Sequence, residues 1–378
     1  MKLLVVSHSC ATATNQRLYA ELESLTGWSL TLAIPAGWRD EFGNHLDQPA
    51  FPGLKGEVRK IPVLANGNII LHTYLKRWKS FLSRERFDAI YVNHEPYALA
   101  TAQICLAANP RVPFGFYSCQ NIRKTYPFPF SHLEQMVYRR SRFAFPITDA
   151  VADVLKQKGF QGTSSVCALP LDPSQYRPHG EAEDRVVLPR QPDQVVIGFV
   201  GRLVESKGLR TLALALSQLL DLPWKLVLIG KGDFEEGFRS LSTKGNFSDR
   251  VDFLGFVPHE ETPRYLSAFD ILVLPSETQP NWKEQFGRVI TESLACGSAV
   301  VGSDSGEIPN LIRSSGGGLV FPEKNVEALA QALRSFITQP DLRSQYATQG
   351  MAWVKEHVSL RSIASRMATT IDQARSAR

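Results

Sequence analysis

The chain has 378 residues, of which 43% are hydrophobic, 21% charged and 10% aromatic, a balance that excludes a disordered, collagen-like or coiled-coil protein. At roughly 100–200 residues per domain it predicts two domains, each large enough to bury its own core. The net charge of +5 is uneven: residues 1–180 hold 20 Lys and Arg against 13 Asp and Glu, whereas residues 181–378 hold 22 against 24, so the basic excess lies in the first half. That asymmetry fits either an anionic partner, such as a phospholipid surface, or a solvated face.

The first elements in chain order are an apolar run at 2–7 and a helical pattern from Thr14 to Leu25 with Leu18, Leu22 and Leu25 on one face. Strand patterns follow at 29–34, 88–93, 114–118 and 143–147, each trailed by a helix-compatible stretch. The alternation predicts a parallel sheet with helices on both faces. Residues 170–194 are rich in proline and charge and have no apolar period, the mark of a linker. A second α/β series then begins with strands at 195–201, 225–230, 251–256, 270–275 and 298–303 and a helix over 209–220. From Asn325 onward the pattern is helical, and a last amphipathic segment is expected to return to the first domain. We therefore expect an N-terminal Rossmann-like domain at 1–175, a linker at 176–194, a second domain at 195–357, and a helix at 358–378 packed back on the first.

The five cysteines are scattered and form no Cys-x-x-Cys pair, which suggests neither a disulfide framework nor a zinc site and fits a reducing cytoplasm. The six-residue apolar run at the N-terminus is too short for a signal-peptide core, and no stretch of about 18 apolar residues is present.

Doubly wound sheets bind ligands outside the carboxyl ends of their strands. The segment 198–208, GFVGRLVESKG, runs from a buried strand through Gly201 to a helix expected near Ser206. Arg202 and Lys207 there are either solvated loop charges or a diphosphate clamp, since a guanidinium pairs bidentately with phosphate and an ammonium neutralises the remaining charge. In the segment 280–309, Glu284 and Glu292 stand eight positions apart, the first in a loop entering a helix and the second about two turns inside it, so that both point at one ligand. Between them Phe286 and Gly287 let the backbone approach closely, leaving the amides of Arg288 and Val289 to accept a phosphate.

GRLVESKG, the GKGD turn at 230–233, the run at 251–276, and EQFGRVITESLACGSAVV with SDSGEIP together resemble glycosyltransferase family four, the retaining GT-B enzymes. The resemblance implies an α/β GT-B fold of two facing Rossmann-like domains with a cleft between them. It also implies transfer of a sugar from a nucleotide-diphosphate sugar, UDP first and GDP second, to a glycan, lipid-linked or small-molecule acceptor. In its terms Arg202 and Lys207 hold the donor diphosphate, Glu284 contacts the sugar hydroxyls, Glu292 takes the ribose, and Gly230, Gly232, Phe256 and Val257 frame the base. On the acceptor side the segment YVNHEPYAL resembles the family's His-Glu-Pro element and brings forward His94 and Glu95. The next strand end offers Gln120 and Asn121, with Cys119 or Gln120 standing where relatives carry a histidine. The first loop offers Ser9 and Cys10 in place of the family's paired glycines, and His8 is read there either as an acceptor contact or as a structural hydrogen bonder.

No Asp-x-Asp occurs, so no carboxylate-bound metal on the diphosphate and no cofactor is expected. The mixture of Arg123, Lys124, Arg139, Arg140 and Arg142 with aromatics over 121–145 fits an anionic membrane surface, an acceptor pocket, or core. Nucleic acid is not expected, because no nucleic-acid fold surrounds these charges. A silent nucleotide-sugar-binding protein and a GT-B isomerase or phosphorylase are the alternative classes.

Overall fold

The computed structural model describes residues 1–39, 43, 45–46, 49–178, 186, 188 and 191–376. They form two compact units. One is Met1–Pro170 with Leu360–Arg378, and the other is Leu171–Ser359.

The first unit is built on seven parallel strands: β1 (Lys2–Val6), β2 (Ser29–Pro35), β3 (Glu57–Ile61), β4 (Ala89–Val92), β5 (Phe114–Ser118), β6 (Phe143–Pro146) and β7 (Thr163–Ser164), in the order β7-β6-β5-β4-β1-β2-β3. The central strands are apolar on both faces because helices cover both; Leu3, Leu4, Val5 and Val6 are all inaccessible to solvent. The chain winds outward from β1 through β2 and β3, then returns to the other side of β1 with β4. The switch point therefore lies between β1 and β4. Helix α1 (Ala13–Thr26) follows β1 and packs against the C-terminal helix, Leu360–Ser376, whose Ile363, Met367 and Ile371 stand one turn apart and enter the same core as Tyr19 and Leu22.

The second unit has six parallel strands: β8 (Val195–Val200), β9 (Trp224–Ile229), β10 (Val251–Gly255), β11 (Ile271–Leu274), β12 (Ala299–Ser303) and β13 (Gly318–Phe321), ordered β10-β9-β8-β11-β12-β13. Winding reverses between β8 and β11, which pair directly at Ile197 and Ile271. Gly198 sits where a β-carbon would fall 2.0 Å from the Phe269 ring, so β8 needs that glycine to let the crossover pack.

Several expectations are adjusted. The division falls between Pro170 and Leu171, not after residue 175, because the Leu171 N–H donates to Val358 O and ties that segment to the second unit. Of the linker expected at 176–194, residues 179–185, 187, 189 and 190 lie outside the described residues. No α-helix starts at Ser206: Glu205–Lys207 is a 3-10 turn, and helix α2 begins at Leu209 and ends at Ser217. Gly208 separates the two with φ 68°, and a β-carbon there would lie 1.8 Å from Pro275 O. The helical tail breaks into Val326–Thr338, Pro340–His357 and Leu360–Ser376. Strand β3 carries the charged sequence EVRKI on the sheet edge, and edge strands need no continuous apolar run.

Candidate functional site

In the second unit, the two loops flanking the switch point carry the charges. The loop after β8 ends in Lys207, and the loop after β11 carries Glu284, 77 residues away. Lys207 Nζ lies 2.6 Å from Glu284 Oε2, and both side chains are largely shielded from water. Ser276, completely buried just past β11, donates through Oγ to the same carboxylate oxygen at 3.0 Å, while Lys207 also lies over the Trp282 ring. The Glu277 N–H donates to Ser206 O at 2.8 Å, so the two loops are clasped by backbone as well as by charge. Arg202, at the start of the first loop, is exposed.

A third loop props the second. Gly306, from the SDSGEIP stretch, has φ 55°, and a β-carbon on it would fall 2.0 Å from Glu284 O; the Glu307 N–H donates to that same oxygen. Only a glycine admits this approach.

Glu292 belongs to a different cluster from Glu284. Helix α3 (Arg288–Ala295) starts at Arg288, with Gly287 before it at φ 72°, so Glu292 is little more than one turn inside it, not two. Its Oε1 lies 2.7 Å from Arg288 Nε and accepts from the Tyr176 hydroxyl at 3.1 Å. Arg288 Nη2 donates to His259 Nε2 at 2.9 Å, and burial together with the guanidinium pushes the His259 imidazole below its ordinary pKa. Burial and then the Glu292 carboxylate push the Tyr176 hydroxyl well up. The two carboxylates are thus anchored separately, one per network. Phe286 is buried, Val289 half-buried, and the N–H groups of Arg288 and Val289 are the first of α3, which by helical geometry have no intrahelical acceptor.

The base-side residues divide. Gly230 (φ 134°) and Gly232 would place β-carbons 1.9 Å from Gly201 O and 2.2 Å from Leu203 O, and the Gly201 N–H donates to Ile229 O. These glycines let the loops after β8 and β9 lie on each other. Phe256 is 61% exposed and Val257 half-buried at the end of β10.

In the first unit, the loops at the β1/β4 switch point bring His8 and His94 together across 86 residues, with Nδ1 to Nδ1 at 2.7 Å and the rings stacked. His72, from the turn before Thr73, completes a cluster in which one ring nitrogen of each histidine lies within 4.8 Å of the others. Burial, then the neighbouring imidazoles, holds His94 well below its usual pKa and His8 at about 3.

Glu95 turns away from this cluster: it accepts from Ser118 Oγ at 2.8 Å, from the Cys119 N–H at 2.7 Å and from Cys119 Sγ at 3.1 Å. Burial raises its pKa, and these donors oppose the rise. Gln120 donates to the Tyr126 hydroxyl, Asn121 is buried, and Ser9 Oγ pairs with Ser7 and Asn93. Cys10 is removed from the acceptor side: it is fully buried in the core with Tyr19 and Leu22, its thiol donates to Asn15 O, and burial pushes it up to about 12.

Sequence reading missed Ser276, Tyr176, His259 and His72. Ser276 carried a signal in standing directly after an apolar strand, while the others are joined to their partners only by the fold.

Two parallel-sheet units, each with polar side chains gathered at its switch point, make this a GT-B protein. Residues 180–353 match the family model of glycosyl transferases group 1. The chain is 28% identical over 247 residues to a 2-deoxystreptamine N-acetyl-D-glucosaminyltransferase of Streptomyces fradiae, covering 60% of this chain and 57% of that one. It is 32% identical over 169 residues to the lipopolysaccharide core biosynthesis glycosyltransferase LpsE of Rhizobium meliloti (strain 1021), covering 45% and 47%. The chain thus spans about half the length of these curated relatives. Its fold matches that of a sucrose-phosphate synthase from Thermosynechococcus elongatus with a TM-score of 0.74 and 18% identity over the whole of both chains.

Proposed function

We propose that the protein is a retaining glycosyltransferase of glycoconjugate or polysaccharide biosynthesis. It moves a sugar from a nucleotide-diphosphate sugar, UDP first and GDP second, to a hydroxyl of a glycan, lipid-linked or small-molecule acceptor. The observation that carries this reading is the Lys207–Glu284 pair at the β8/β11 switch point, where a cation for phosphate and a carboxylate for sugar hydroxyls stand in contact. Arg202 and Lys207 hold the diphosphate with the first amides of α3, and Glu292, oriented by Arg288 and Tyr176, takes the ribose diol. Phe256 and Val257 supply an apolar wall for the base.

In the reaction, the acceptor oxygen forms a bond to the anomeric carbon as the bond to the diphosphate breaks on the same face, and the departing phosphate oxygen takes the acceptor proton. The protein's main contribution is to stabilise negative charge on the leaving diphosphate with fixed cations and amides. The transfer needs no carboxylate-held metal and no cofactor, and the first unit supplies the acceptor side through His94, Glu95 and Gln120. All five cysteines are unpaired, in keeping with work in the cytoplasm. The lipid-linked acceptor class draws support from exposed Phe128, Arg123 and Arg139, which suit a peripheral contact with an anionic membrane; among the described residues no helix is long and apolar enough to cross one.

The test is a thermal-shift panel of UDP, GDP, ADP and their common sugar conjugates on wild type, Arg202→Ala and Glu292→Ala. A ligand at 100 times its Kd adds ~2.7 kcal/mol. Stabilisation of the wild type alone, followed by a product whose anomeric configuration matches the donor's, is the expected result. No stabilisation by any of them would remove the main support of the transferase reading, whereas stabilisation without any product would favour the silent nucleotide-sugar-binding alternative.

A further inference from the structure

The first unit gathers three imidazoles, of which the proposed transfer uses only His94. His8 leaves the end of β1, His94 leaves the end of β4, and His72 stands in the turn before the short ribbon strand Thr73–Tyr74. His72 and His94 are 0% and 2% exposed and His8 is half-buried. Trp38 lies beside His8 and His72, with ring centroids 5.1 and 5.0 Å away.

The hydrogen bonds of the three rings fix the tautomer of His72 and orient the other two. His72 Nδ1 is 2.9 Å from Asn68 O, and a carbonyl only accepts, so Nδ1 carries the proton and Nε2 is a bare lone pair. That Nε2 is buried and has no hydrogen-bond partner among the described residues. Asn68 fixes the ring further: its carbonyl also accepts the His72 N–H, and its side-chain oxygen accepts from the N–H groups of Ile70 and Leu71. His94 Nε2 is 3.2 Å from the Tyr74 hydroxyl, which can accept its proton, and in that tautomer Nδ1 is the second lone pair. His8 Nδ1, 2.7 Å from that nitrogen, is the third donor atom once its proton moves to Nε2, a change that costs the ring no charge. A buried lone pair without a donor calls for an occupant, and imidazoles whose far nitrogens are oriented by a carbonyl and a hydroxyl are the usual surroundings of a metal ligand.

We propose that His8, His72 and His94 bind one divalent cation of the zinc class, with the fourth position left to water on the side where His8 meets solvent. Neutral imidazole suits Zn2+, Co2+, Ni2+ and Cu2+, whereas Mg2+ and Ca2+ require oxygen ligands. Nitrogens placed about 2.0–2.1 Å from a tetrahedral zinc stand roughly 3.4 Å apart, between the 2.7 Å of the closest pair and the 4.8 Å limit of the set. Small ring rotations therefore close the site. Such a cation is held by imidazole and not by the donor's diphosphate, so it is independent of the metal-free donor chemistry proposed above.

The test uses the untagged full chain, stripped with chelator and titrated with Zn2+ against a chromophoric competitor and with Co2+ by visible absorption. One equivalent should bind, with the ligand-field bands of a four-coordinate cobalt site. His8→Ala and His94→Gln should each weaken binding by about 100-fold or more, and Tyr74→Phe, which removes an orienting partner, by about 10-fold. His8 is only half-buried, so His8→Ala keeps the proposal testable even if the buried variants fail to fold, which their melting curves report. Absence of saturable binding to the wild type at micromolar Zn2+ would overturn the proposal. So would equal affinity of wild type and His8→Ala, since it would put the metal elsewhere. Neither result depends on nucleotide binding.

Discussion

Replacing Glu284 with glutamine separates two demands made on Lys207. The ammonium lies 2.6 Å from Glu284 Oε2, and the proposed function asks it to hold a diphosphate as well. A phosphate oxygen on the far side of Nζ would stand roughly 5–6 Å from that carboxylate, where unit charges repel by ~3 kcal/mol at an effective dielectric of ~20. A screening length of about 8 Å leaves roughly half of this. Glu284→Gln removes the repulsion and keeps the shape of the group, so a nucleoside diphosphate without its sugar should bind about tenfold tighter. Lys207→Ala should do the reverse, weakening the same ligand and slowing turnover by ~100- to 1,000-fold, the loss of ~2.7–4 kcal/mol typical of one group that stabilises developing charge. Both variants should melt below wild type, because each leaves a largely shielded charge without its partner. Calorimetric titration of UDP and GDP into the three proteins decides the matter. If Glu284→Gln weakens the nucleoside diphosphate as Lys207→Ala does, the carboxylate assists the phosphate and the assignment of Glu284 to the sugar fails; if neither variant changes it, the diphosphate does not sit on Lys207.

The remaining predictions concern other parts of the molecule. Arg202→Ala, at an exposed position, should leave the melting temperature within the ~0.5 kcal/mol expected of a surface change while reducing turnover ~100- to 1,000-fold; near-wild-type turnover would remove Arg202 from the site. Gly306→Ala should displace the Glu284 loop, because its new methyl would meet Glu284 O at 2.0 Å, and both the melting temperature and nucleotide affinity should fall together; loss of one without the other would separate that loop from the site. Anionic vesicles should sediment the protein at low but not high salt, and Phe128→Ser with Arg123→Ala should abolish it, whereas no sedimentation at either salt would end the membrane reading.

How much of this was legible in the sequence depends on the range over which each feature is encoded. The buried strands were, because apolar runs such as VVIGFV at 195–200 are a local signal. The edge strand β3 was not, since a strand exposed on one side carries charges like those of a loop. Lys207, Glu284 and Glu292 were singled out through spacing and resemblance, whereas the separate networks that hold the two glutamates were not legible. The chain between them is a loop until Arg288, so helical periodicity could not relate them. Cys10 misled for a related reason: at a strand end a small residue reads as loop, whereas the 3-10 turn Ser9–Ala11 turns its side chain into the core.

Each sheet, taken by itself, explains why the contact within its polar pair was not legible in the sequence. A doubly wound sheet brings its first strand beside one that follows two or more crossovers later, and the residues past the ends of those two strands meet only there. In the second unit this joins Lys207 to Glu284 across 77 residues, and in the first it joins His8 to His94 across 86. In isolation each member reads as an ordinary loop residue. His72 is more hidden still, since it reaches the cluster from a turn outside the sheet and is aimed by Asn68, four residues earlier. A search of such folds for function therefore gains most by pairing the residues just past the two strands that flank the switch point, before any motif is consulted. Applied here, that rule selects the lysine and glutamate on which the donor proposal rests and two of the three imidazoles of the metal proposal.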